Sequence, residues 1–95
     1  MASFVVICID KPDSLALRLA TREAHFAYAR AMPAGFIRMG GPFLDEDGEM
    51  TGSMILVEAR DIEAVRAFNA ADPYTLAVLF RWVELRAWKQ TFPAP

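Results

Sequence analysis

An α+β fold, with two helices on one face of a four-stranded antiparallel sheet, is predicted for this chain by three observations. Strand-like and helix-like segments follow one another in the order βαββαβ, the ferredoxin-like or split-βαβ pattern. The acidic turn Asp45-Glu46-Asp47-Gly48-Glu49 joins two strand segments directly, as a hairpin does. The last segment alternates with a period of two. No segment repeats at a fixed period, and at 95 residues a single domain spanning 1–95 accounts for the chain.

Phe4-Val5-Val6-Ile7-Cys8-Ile9 is rich in β-branched residues and is closed by Lys11-Pro12-Asp13, which predicts a central first strand buried on both faces. Ser14 stands at an N-cap position, and Leu15, Leu19, Arg22 and Phe26 recur at helical spacing until Met32-Pro33. Gly35 reopens the chain, Phe36 to Phe43 reads as the second strand, and Met54 to Ala59 as the third. Asp61 caps a second helix whose apolar side is Ile62, Val65, Ala67 and Phe68. Ala71-Asp72-Pro73-Tyr74 interrupts that helix, and Pro73 suits a fresh helical start. From Leu79 to Thr91 the final strand sets Leu79, Arg81, Val83, Leu85 and Ala87 on one side and Phe80, Trp82, Glu84, Arg86 and Trp88 on the other.

Two tryptophans on a sheet face are costly to leave in water, and 55% apolar residues is high for so short a chain. The simplest cover is the sheet of a second subunit, a homodimer whose two sheets enclose a barrel-like interior; the other solution is a pocket lined within one chain. Acidic residues outnumber basic ones 12 to 10, and the eight arginines and two lysines are scattered, so nucleic acid is not an expected partner. The lone Cys8 excludes an intramolecular disulfide and fits a reducing compartment. The short apolar start lacks a basic n-region, and no stretch reaches the roughly 20 apolar residues of a membrane span, so a cytoplasmic protein is expected.

Standard chemical motifs are mostly eliminated. Neither GxxxxGK[ST] nor GxGxxG is present, and one His and one Cys cannot build a tetrahedral zinc site. The acidic cluster around Gly48 lacks the spaced acidic residue of a calcium loop and reads as a solvated turn, so no metal is expected. None of Ser3, Ser14 or Ser53 lies in a nucleophile elbow. His25 remains as the side chain suited to proton transfer near neutrality, on a helix face shared with Arg18, Arg22, Ala29 and Met32. By position alone a histidine on a helix flank is more often a surface or hydrogen-bonded structural residue, Arg22 is an anion clamp or a solvated residue, and Asp72 before Pro73 is a good N-cap.

Asp10-Lys11-Pro12-Asp13-Ser14, Arg22-Glu23-Ala24-His25, Gly41-Pro42, Thr51-Gly52-Ser53 and Ala71-Asp72-Pro73-Tyr74 resemble, in that order, the YciI-like family of the dimeric α+β barrel superfamily. The resemblance runs from about Phe4 to Phe92. It implies a subunit that dimerises through its sheet, with His25 and Asp72 as the active pair in a cleft lined by Gly41, Pro42, Ser53 and Tyr74. Ser53 would donate to a substrate oxygen, and Arg22 would help to hold it. Glu23 departs from the Pro that often precedes the Ala-His of family members, which implies a more regular helix here.

A related member is a dehydrochlorinase of a hydroxylated ring, and the wider superfamily includes muconolactone isomerases, small monooxygenases and haem enzymes; fold kinship alone selects none of these. One base, one orienting acid and an aromatic cavity imply lyase- or isomerase-like proton transfer on a small cyclic or aromatic substrate, with no cofactor required. The competing expectation is a non-catalytic ligand-binding or interaction module of the same fold.

Overall fold

A computed structural model describes the whole chain, Met1–Pro95. Its elements are β1 (Ala2–Asp10), α1 (Leu15–Arg30), β2 (Ile37–Leu44), β3 (Met50–Ala59), α2 (Ile62–Ala71), α3 (Pro73–Leu76) and β4 (Phe80–Trp88). The strands form one antiparallel sheet in the order β2-β3-β1-β4, with β1 in the interior as its composition predicts. No helix is long and apolar enough to cross a membrane.

The helices cover one face of this sheet. Phe4, Val6 and Cys8 of β1 meet Ile55, Val57 and Ala59 of β3 beneath Val65 and Phe68 of α2 to form the core. Burial of β1 is therefore complete on one side only: Val5, Ile7 and Ile9 point the other way and are half-buried. Along β4 the neighbours Trp82, Glu84, Arg86 and Trp88 pair with Ile9, Ile7, Val5 and Ser3, so they share that second face. It carries Met54, Trp82 and Trp88, which are 39%, 43% and 43% exposed.

Several local expectations change. β4 is shorter than Leu79 to Thr91, and a bulge between Ile9 and Asp10 pairs Asp10 with Phe80. The bulge turns Phe80 to the helix side, with its ring edge-on to Tyr74 at 6.0 Å. Helix α1 does not bury the Leu15/Leu19/Phe26 stripe, because Leu19 is 49% exposed and the buried residue is Arg18. Ser14 precedes α1 without capping it; its hydroxyl donates to the Pro12 carbonyl at 3.3 Å. In α2, Val65 and Phe68 are buried as expected, whereas Ala67 is exposed.

Other local signals act as their chemistry dictates. Asp61 accepts from the Ala64 N–H and caps α2, and that bond holds its carboxyl below the usual range. Asp45 accepts from the N–H groups of Asp47 and Glu49, so the acidic turn satisfies itself between β2 and β3. A side chain at Gly52 would strike the Cys8 carbonyl oxygen, which is why the close pairing of β1 with β3 there requires glycine.

Burial, with the Asp72 charge nearby, pushes the Cys8 thiol up to about 12. At mildly alkaline pH the native thiol is expected to resist an aromatic disulfide reagent and to react promptly once the chain is unfolded in guanidinium. Equal rates in the two states would contradict a buried, protonated thiol.

Candidate active site

Helix α1 brings Arg18, Arg22 and His25 onto one face, since residues four and seven apart return to the same side of a helix. They form one wall of a cavity of about 210 Å³, whose other walls are β2 and β3, with Tyr74 of α3 closing one end. Met50, Ile37, Ile55 and Phe26 supply much of the apolar lining.

Asp72 occupies the break between α2 and α3. Its extended backbone (φ −62°, ψ 131°) ends one helix, and its Oδ1 accepts the Tyr74 N–H at 2.9 Å to start the next. Both carboxylate oxygens also lie 3.0 Å from Nδ1 of His25. A carboxylate only accepts hydrogen bonds, so this contact assigns the proton to Nδ1 and leaves the lone pair on Nε2. The His25 and Asp72 side chains are 13% and 3% exposed, so the pair is largely withdrawn from water. The Tyr74 ring stacks on the imidazole at 4.2 Å and 18°, which fixes the tilt of His25. Asp72 is therefore N-cap and histidine partner at once, and the two readings of that residue are compatible.

A second buried polar group adjoins the first. Arg18 donates from Nε and Nη2 to the two carboxylate oxygens of Asp10 at 2.7 and 2.9 Å, and from Nη2 to Ser53 Oγ at 2.9 Å. Burial pulls the guanidinium down, but the bond and charge of Asp10 outweigh it and hold Arg18 above its ordinary value. The guanidinium also lies over the Tyr74 ring at 4.6 Å. Burial pushes the Tyr74 phenol up, with Arg18 and Arg22 pulling the other way, so the hydroxyl keeps its proton and can donate.

The remaining expected residues fall around this core. Ser53 is buried and accepts from Arg18, leaving its own proton free. Arg22 is exposed at the rim, its guanidinium over the Phe26 ring at 5.2 Å. Pro42, paired with Ser53, contributes to the β2 wall. Gly41 pairs with Met54 and so belongs to the opposite face, giving the cavity only its backbone. Its neighbour Gly40 lies on the cavity side, where an added Cβ would come within 3.4 Å of Ile55. Asp10, Arg18 and Gly40 are given no role in the site by the sequence. Their signals are the buried alternation Phe4, Val6, Cys8, Asp10 and the two-turn spacing of Arg18 from His25.

A model of the YCII-related domain matches residues 2–89. Protein YciI of Escherichia coli O6:H1 is 32% identical over 96 residues, covering 94% of this chain and 98% of that one. An uncharacterized protein of Haemophilus influenzae is 28% identical with the same coverage. Among solved structures, 5-chloro-2-hydroxyhydroquinone dehydrochlorinase (TftG) from Burkholderia phenoliruptrix, in complex with 2,5-dihydroxybenzoquinone, aligns with a TM-score of 0.84 at 35% identity. That alignment covers 93% of this chain and 94% of the other. An antibiotic biosynthesis monooxygenase aligns with a TM-score of 0.58 at 16% identity over 95% of this chain and 98% of its own, a likeness of fold alone.

Proposed function

We propose that this chain, which belongs to the YCII-related domain family, is an enzyme that moves a proton on a small hydroxylated ring, with His25 as general base or acid and Asp72 as its orienting partner. The observation that carries this reading is the 3.0 Å contact of Asp72 with His25 Nδ1 at the wall of the cavity. A carboxylate on Nδ1 fixes the tautomer and stabilises the imidazolium that forms when Nε2 takes a proton. The electron pair released in the substrate then re-enters the ring or expels a leaving group with its bonding electrons. The same imidazolium returns the proton to another ring atom, or to solvent once the leaving group has departed.

The substrate class follows from size, chemistry and kinship. An apolar cavity of about 150 Å³ takes up benzene, so about 210 Å³ accepts a ring with a few small substituents. The dehydrochlorinase relative acts on a chlorinated hydroxyhydroquinone, which favours ring hydroxyls as the acidic groups and elimination or isomerisation as the outcome. Ser53 and Tyr74 have hydroxyl protons available for substrate oxygens, and Arg22 adds charge at the rim.

The test is a turnover screen of chlorinated and unchlorinated hydroxyhydroquinones with the wild type beside His25→Gln. Chloride release or isomer formation that depends on His25 is the expected result. Binding without turnover by the wild type across the screen would favour the non-catalytic module instead.

We also propose that the second sheet face is covered by a second copy of this chain. Val5, Ile7, Ile9, Met54, Trp82 and Trp88 share this face across three strands, with only the Glu84–Arg86 ion pair standing between the two tryptophans. Equilibrium sedimentation is expected to report a dimer for the wild type and a monomer for the Trp82→Glu/Trp88→Glu variant; a monomeric wild type would remove this arrangement.

A further inference from the structure

We infer that Arg18 is the group that receives an anionic oxygen of the substrate, which selects rings whose hydroxyl or carbonyl oxygen is ionised or becomes so on proton removal. The inference rests on the acid/base reading of His25 given above. Arg18 spends Nε and Nη2 on Asp10 and Ser53, and its further side-chain partner is the Tyr74 hydroxyl, which shares the cavity wall. Arg18 lines the cavity, so the part of its guanidinium that Asp10 and Ser53 leave uncovered is presented to whatever enters.

The rest of the lining agrees in sign. Its ionisable side chains are Arg18, Arg22, His25 and Tyr74, and no carboxylate lines the cavity. Asp10 stands behind Arg18 and Asp72 behind His25, each 5% exposed or less. The Asp10–Arg18 pair is therefore a fixed dipole with its positive end toward the ligand. A buried ion pair of this kind gives little stability over apolar residues of the same volume, but it offers a preorganised electrophile where negative charge develops. Arg18, Ser53 and Tyr74, which carry donors, line one space together with the His25 imidazole. This pattern suits a ligand that presents one acidic proton to His25 and anionic or acceptor oxygens to Arg18.

The experiment uses 4-nitrophenol, a ring of suitable size that ionises near neutrality and absorbs strongly as the phenolate. Bound to the wild type, it is expected to ionise at least about one unit lower than in free solution, a tenfold preference for the anion. The shift should persist in His25→Gln, shrink in Arg18→Lys, which keeps a charge but loses the planar fork, and vanish in Asp10→Asn/Arg18→Met. No binding by the wild type, no shift on binding, or a full shift in the folded double variant would overturn the assignment. Loss of the shift in Arg22→Gln with Arg18 intact would transfer the role to the rim and overturn it equally. A shift that persists in a His25→Gln protein with undiminished turnover would sink the acid/base reading while sustaining Arg18 as an anion subsite.

Discussion

Replacing His25 by Gln is expected to lower kcat/KM by about 10²- to 10⁴-fold, the range general acid–base catalysis contributes, with KM moving little. Gln can still donate to Asp72 and occupy the space over Tyr74, so the folded state should persist while the basic nitrogen is gone. That separates chemistry from stability. Asp72→Asn should produce a comparable loss by another route. Asn still accepts the Tyr74 N–H and caps α3, but its amide can present N–H to Nδ1 and move the imidazole proton to Nε2. Turnover within threefold of wild type in both variants would mean that the pair is structural.

Arg18→Met should reduce stability by about 3–5 kcal/mol, because it leaves the Asp10 carboxylate buried without its partner. The Arg18 and Asp10 side chains are 3% and 5% exposed, so water cannot readily replace the lost bonds. The double variant Asp10→Asn/Arg18→Met removes both charges and is expected to recover most of that loss, since a neutral pair of similar shape avoids the desolvation penalty. Denaturant midpoints at constant slope are the measurement. A single variant as stable as wild type, or a double variant no better than the single, would show that the pair carries no such penalty.

The fold is legible in the sequence wherever a periodic pattern meets a chemical stop. β1 is bounded by Lys11-Pro12, α2 begins at Asp61, and Asp72-Pro73 marks the helix break. His25 and Asp72 are legible through the motifs that hold them, although 47 positions apart, because neither residue's local role predicts their contact. The Asp10–Arg18 pair is not legible in the same way. Asp10 stands only as the residue before the Lys11-Pro12-Asp13 turn and Arg18 only as a neighbour of His25 on one helix face, and the packing of α1 over the end of β1 is what desolvates both. One consequence is the error in helix facing: choosing the leucine stripe as the buried side ignores an arginine whose charge is satisfied from the strand below. Phe80 escapes for a different reason, since the bulge opposite Ile9 and Asp10 has no signature in β4 and reverses the side predicted from simple alternation.

Asp72 ties two events into one. The carboxylate that starts α3 also holds the imidazole, and Tyr74, whose N–H it accepts, supplies the ring on which the imidazole lies. Opening of that first turn would therefore release the imidazole from its carboxylate and from its stacking ring together. If the pair performs the proposed proton transfer, loss of activity on heating is expected to follow amide exchange at Tyr74 rather than melting of the core.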